Sequence, residues 1–135
     1  RSERNNTLVF CAHRDEVDRW VERCHEAGIP ALGCKGGGTE AFQRQLAQAQ
    51  GSVKIFATSC LSHGVNLPTL ARVILAYDEK DPALVHQMMT RGGRRGERYE
   101  VWRVGPLRAW MNRHLLGLLG RVVVAQVTLF MGEWW

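Results

Sequence analysis

Four short apolar runs, at residues 7–12, 29–34, 53–57 and 70–77, recur along the chain with helix-patterned segments between most of them, and residues 99–104 alternate enough for a fifth strand. Runs this short, rich in branched and aromatic residues, mark strands buried on both faces. The segments between them carry the signals of helices. After the first run, Asp15 can cap a helix whose apolar positions Val17, Trp20, Val21 and Cys24 form one stripe, and Gly28 ends it. Thr39 can cap a second helix that turns Phe42 and Leu46 inward, closed by Gly51-Ser52. Asp81-Pro82 begins a third, with aspartate as cap and proline at the first helical position; it runs toward Arg91 and stops at Gly92-Gly93. Strands alternating with helices in short units imply an α/β fold: a parallel sheet with right-handed crossovers and helices on both faces. In such sheets the functional loops lie beyond the carboxyl ends of the strands. That rule gathers Ala12-His13, the loop at residues 33–38, the segment at 58–66 and the turn after Tyr77 on one rim.

A length of 135 residues suits one globular domain, and 45% apolar with 23% charged residues argues against bulk disorder. The chain begins at Arg1, as a piece of a longer protein would. We expect the α/β domain to occupy residues 1–104 and a hydrophobic helical extension to occupy 105–135. In that extension Leu107, Trp110, Met111, His114, Leu115, Leu118 and Val122 keep helical spacing. Arg121 and Gln126 interrupt its apolar stretch, which falls short of the roughly 18–20 residues of a membrane span. Packing on the domain or on a neighbour is the expectation, with no membrane partner.

The net charge of +5 fits an anionic partner, and its distribution says more than its size. Arg91, Arg94, Arg95, Arg98, Arg103, Arg108 and Arg113 crowd one stretch, opposed there by Glu97 and Glu100. Arginine is favoured where planar, bidentate phosphate contacts are made, although a solvated face has the same composition. Cys11, Cys24, Cys34 and Cys60 include no C-x-x-C pair, so neither a zinc knuckle nor a disulfide framework is indicated. Cys11-Ala12-His13 is at most half of a metal site. Buried, reduced thiols and a cytoplasmic setting, or a nuclear one in a eukaryote, are the expectation.

Gln87-Met88-Met89-Thr90-Arg91-Gly92-Gly93-Arg94 concentrates the chemistry. Gln87 and Arg91 stand at i and i+4, on one face of a helix, and Arg94 follows where glycines free the backbone. Two positioned guanidinium groups can neutralise charge developing on a γ-phosphate; a basic helix end that complements the helix dipole is the plainer alternative. Earlier, Ala57-Thr58-Ser59 ends the third run and leads to Gly64-Val65-Asn66-Leu67-Pro68. Thr58 and Ser59 at a strand end, with free backbone N–H groups, suit a nucleic-acid phosphate. Gly64 permits close approach of the backbone, and Asn66 can hydrogen-bond a ribose or link two sites.

The first of these segments resembles motif VI of superfamily 2 helicases, Q-x-x-G-R-x-G-R, with Thr90 where the family has glycine. The second resembles motif V, and its Asn66 is similar to the Ski2-like variant. Residues 8–13 resemble motif IV, the opening strand of the second motor domain. Lys35, Gly36, Gly37 and Gly38 stand where the family has a loop that binds the nucleic-acid backbone. The resemblance spans roughly residues 7–104 and implies a second, C-terminal RecA-like motor domain of an ATP-dependent helicase or translocase. It implies that Arg91, Arg94 and Gln87 are catalytic, with the two arginines acting as fingers toward ATP and Mg2+ held mainly by an upstream RecA-like domain. Gly64, Asn66 and Gln87 would meet the nucleotide beside them. His13, Lys35, Gly36, Gly37, Thr58 and Ser59 would grip one strand of DNA or RNA, and no metal ligand is assigned.

Two look-alikes drop out. Asp15-Glu16-Val17-Asp18 spells a D-E-x-D box, but His13 and Arg14 separate it from the strand, so its acids belong to a helix N-terminus. No G-x-x-x-x-G-K-[ST] occurs in the chain, which weighs against a small nucleotide-binding protein acting alone. A catalytically inactive module that keeps the helicase fold for binding is the remaining alternative.

Overall fold

The structure, a computed structural model, describes residues 6–37, 39–61, 65–92, 98–105, 107 and 110. Five strands form one sheet: β1 (Thr7–Phe10), β2 (Ala31–Cys34), β3 (Lys54–Ala57), β4 (Arg72–Leu75) and β5 (Glu100–Arg103). Their spatial order is β2-β3-β1-β4-β5, and every pairing is parallel. Three helices, α1 (Arg14–Glu26), α2 (Thr39–Gln48) and α3 (Pro82–Met89), and a single 3-10 turn at Ser59–Leu61 complete the described elements. Each strand is shorter than its apolar run. Pairing in β2 begins only at Ala31, because Pro30 has no N–H and contributes its carbonyl to Lys54 instead.

The helices do cover both faces. On one, α1 brings Val17, Trp20 and Cys24 against Val9, Phe56 and Ile74. On the other, Phe42 of α2 and Val85 and Met88 of α3 join Leu8, Phe10, Ile55, Val73 and Leu75. Alternation along β1 thus feeds two cores, and all four of its residues are buried. β5 lies at one edge of the sheet, with β2 at the other, and is largely exposed, with Trp102 46% accessible.

The helix ends follow local chemistry, with two corrections. Asp15 is not the cap of α1; His13 holds that position in extended geometry, and its N–H donates to Glu16 Oε1 at 3.1 Å. Asp15 sits inside the first turn and pairs with Arg19 at 2.7 Å. Thr39 is the first residue of α2 rather than its cap. Gly28 closes α1 as expected: at φ 76° it takes a left-handed conformation, and Ile29 N–H bonds to Cys24 O while Gly28 N–H bonds to His25 O. Asp81 caps α3 by accepting from Ala83 N–H at 3.0 Å, ahead of Pro82. α3 ends at Met89, so Arg91 stands two residues past the helix, not on its face.

Residues 1–5 and 111–135 lie outside the described residues, and with them most of the expected helical extension. Among the described residues no helix is long and apolar enough to cross a membrane.

Phe56 lies at the centre of this packing, fully buried and stacked on Trp20 with ring centroids 6.0 Å apart and 3° between planes. Phe56→Ala should therefore cost about 3–5 kcal/mol in chemical denaturation. A loss below about 1 kcal/mol, the scale of an exposed position, would show that this face is not packed as described.

Candidate functional site

Because the strands run parallel, their carboxyl ends lie side by side, and the loops that follow β1, β2, β3 and β4 emerge on one rim. Register fixes the neighbours: Phe10, Ala57 and Leu75 are aligned, and Cys34 lies beside Ala57. His13 is exposed two residues beyond Cys11, whose own side chain is buried in the core. Burial pushes the Cys11 thiol up, aided by the nearby Glu16 carboxylate. Cys11 and His13 therefore sit in different environments, one dry and one wet.

Beyond β2, Lys35 is half-buried and its Nζ bonds to Asp18 of α1 at 2.9 Å. An ion pair this open contributes only about 0–1 kcal/mol, so the ammonium can be drawn to a stronger anion cheaply. Gly36 and Gly37 are exposed, and Gly37 has φ 88°, a conformation that side-chain-bearing residues rarely take. Across from them stand Thr58, half-buried, and Ser59, exposed. One expectation fails here. The Thr58 N–H is not free; it donates to Cys34 O at 3.3 Å, extending the β2–β3 ladder past the last paired residues. Its Oγ1 donates to Cys60 Sγ at 3.4 Å.

The second cluster joins the end of α3 to the segment after β3. Arg91 Nε donates to Leu61 O at 2.9 Å, and its Nη2 donates to Val65 O. One planar fork thereby holds two carbonyls of a loop some 26 to 30 positions earlier in the chain. Burial pulls the Arg91 pKa down, yet a guanidinium stays charged at neutral pH. Gln87 and Asn66 are exposed. Thr90 fits where the helicase motif has glycine, because its backbone is at φ −89° and ψ 6°, open to any residue. Its Oγ1 donates to Gln87 O at 3.1 Å and shares the same proton with His86 O at 3.0 Å, a carbonyl that also accepts the Thr90 backbone N–H.

Gly92 is required for room rather than for freedom. A Cβ built there would lie 1.9 Å from the Tyr99 ring, and Tyr99 OH in turn donates to Met89 O at 2.8 Å. Sequence reasoning passed over Tyr99, which closes over the end of α3. Gly64 and Arg94 lie outside the described residues. After β4, Tyr77 OH donates to Glu79 Oε1 at 2.6 Å, and Glu79 Oε2 accepts from Asp81 N–H at 3.0 Å. The phenol's hydrogen bond holds the Glu79 carboxyl below its usual range.

Arg91→Ala should lower stability by about 1–3 kcal/mol, since it strips partners from two partly buried carbonyls. Arg91→Lys should recover only part of the loss, because an ammonium cannot reproduce the fork. Thermal or urea unfolding of the two variants tests this, and equal stability of Arg91→Ala and the parent would refute the bridge.

Solved structures share this architecture. The C-terminal domain of the DEAD-box protein Dbp5 superimposes with a TM-score of 0.62 at 17% identity, covering 85% of this chain and 69% of that one. A DEAD box protein from the hyperthermophile Methanococcus jannaschii gives 0.65 at 18% identity, over 82% of this chain and 31% of that one. The C-terminal part of the Fun30 ATPase domain gives 0.62 at 14% identity, over 73% of this chain and 34% of that one. The chain thus spans about a third of the Fun30 and Methanococcus chains. At these identities the likeness establishes the fold, a RecA-like parallel sheet flanked by helices. No curated protein matches the sequence. The helicase conserved C-terminal domain family matches residues 1–96, most of the chain, and this protein belongs to that family.

Proposed function

We propose that the chain is the second motor half of an ATP-dependent helicase or translocase of superfamily 2. In this reading the upstream RecA-like domain holds ATP and Mg2+, and this domain completes the site and grips one nucleic-acid strand. The observation that carries it is the Arg91 bridge. It ties the motif VI-like segment to the motif V-like loop, so the residues assigned to nucleotide and those assigned to nucleic acid move as one piece.

The residues present fit a polyphosphate in charge and donor capacity. Gln87 and Asn66 are exposed, and Arg91 has two of its five N–H donors engaged in the described contacts. Arg91 and Arg94 would stabilise charge on the transferred phosphoryl group, which is what bound nucleotide would supply for the reaction. On the rim, Lys35 would exchange Asp18 for a phosphate, Gly36 and Gly37 would let a sugar–phosphate backbone approach, and Ser59, the Thr58 hydroxyl and His13 would add polar contacts. Contacts of this kind are indifferent to base sequence and sensitive to salt. The fold resemblance to the DEAD-box domains supports the reading, while the Ski2-like character of motif V rests on Asn66 alone.

A second reading follows from the same bridge. Because Arg91 already serves two carbonyls, the motif could be scaffold only, in a binding module without catalysis. Arg94→Ala in the protein carrying its native upstream sequence separates the two. A finger role predicts that nucleic-acid-stimulated ATP hydrolysis falls about a thousandfold or more, with single-strand affinity unchanged. Turnover equal to the parent would exclude it. Affinity for a single strand should also fall steadily as salt rises.

A further inference from the structure

Cys34 ends β2 and Cys60 lies in the 3-10 turn after β3, and their sulfurs are 3.7 Å apart. They sit 26 positions apart in sequence and meet because Cys34 is registered beside Ala57, three residues before Cys60. Cys60 Sγ also lies 3.4 Å from Cys34 O, and Thr58 Oγ1 donates to the same sulfur. Cys34 is buried and Cys60 is half-exposed, whereas Cys11 and Cys24 are buried in the core on the α1 side. Both thiols are free. A Cβ on Gly36 would lie 4.0 Å from Cys60 Cβ, so the pair lies between the glycine loop and Thr58, on the strip of rim assigned above to the nucleic-acid backbone.

We propose that Cys34 and Cys60 are a redox-active dithiol, and that its oxidation to a disulfide weakens the grip of this rim on nucleic acid. The second half of the proposal rests on the functional reading above; the first does not. The oxidant class is a low-molecular-weight disulfide. Cys60, the accessible thiol, attacks it as thiolate, breaks its S–S bond and releases one thiol, leaving a mixed disulfide on Cys60. Cys34 then attacks Cys60 Sγ, gives up its proton and expels the second thiol. Two protein thiols are oxidised and one external disulfide is reduced to two thiols. The sulfurs need to close from 3.7 Å to about 2 Å. That movement draws the turn onto the end of β2 and narrows the space between Gly36 and Thr58. It also shifts the sulfur to which Thr58 Oγ1 donates. Burial and the neighbouring Cys60 push the Cys34 thiol up to about 12. The second step therefore gains from alkaline pH.

Glutathione disulfide is the probe. Incubated with the full chain, it should lower the free thiols from four to two and leave a mass two hydrogens lighter, reversibly with dithiothreitol. Cys60→Ser, nearly isosteric and exposed enough to fold, should lose this response. Cys24→Ala, on the opposite face, should keep it. Fluorescence polarisation with a labelled oligonucleotide should then show affinity several-fold weaker in the oxidised chain and restored on reduction. Four persistent thiols, or a mixed disulfide on Cys60 that never resolves, overturns the dithiol. A disulfide that forms while reduced and oxidised chains bind equally overturns the switch. If neither form binds any oligonucleotide, the nucleic-acid reading fails, and the thiol count still decides the dithiol by itself.

Discussion

β1 holds the molecule together. It pairs with β3 on one side and β4 on the other, and it presents Leu8 and Phe10 to one core and Val9 to the other. Its register is set at the entry end by Asn6, a buried polar residue. The Asn6 Oδ1 accepts from Val53 N–H at 3.0 Å, and Nδ2 donates to Thr69 O at 3.2 Å. Its backbone carbonyl accepts from Ala71 and Arg72 N–H groups. One side chain and one carbonyl thus pin the starts of β3 and β4 against β1. A one-residue slip would turn every side chain to the opposite face, so these bonds decide which loops meet at the other end of the strands.

The sheet and its order of elements were legible because burial on both faces writes continuous apolar runs, and because Asp81-Pro82 and Gly28 are strong local punctuation. Boundaries were less so. Asp15 looked like a cap, but His13 takes the role once Glu16 can reach back to its N–H, an interaction that depends on three residues turning together. The Thr58 N–H looked free because a strand end suggests unpaired donors; in fact the β2–β3 ladder runs on for one more bond. Pairwise spacing also says nothing of what lies across space. Tyr99 over Gly92, Arg91 beneath Leu61 and Val65, and Cys34 against Cys60 each join residues that no periodicity links.

The rim residues divide by what it costs to move them. Lys35 holds an open ion pair, worth about 0–1 kcal/mol, and can change partner without disturbing the fold. Arg91 is different: releasing it strips a partner from two partly buried carbonyls, at about 1–3 kcal/mol in all. A ligand that recruits Lys35 is thus resisted very little, whereas one that draws Arg91 fully away also loosens the loop carrying Asn66. The economical arrangement keeps both bonds and uses the remaining face of the guanidinium.

This asymmetry bears on how binding at one place is felt at another. A phosphate at Thr58 or Ser59 touches the turn whose Leu61 carbonyl Arg91 holds, and the turn is only three residues long. Displacement of that turn must either carry Arg91 with it or break the fork. Since the fork is planar and donates in two directions, it tolerates translation better than rotation. If the rim grips a strand as proposed, coupling between it and the end of α3 needs no long chain of contacts; it would pass through one turn and one side chain. The Cys34–Cys60 pair lies on the other flank of the same turn. A bond there would fix the turn to β2 just where Arg91 fixes it to α3, and a turn held from both flanks has little freedom left to relay anything.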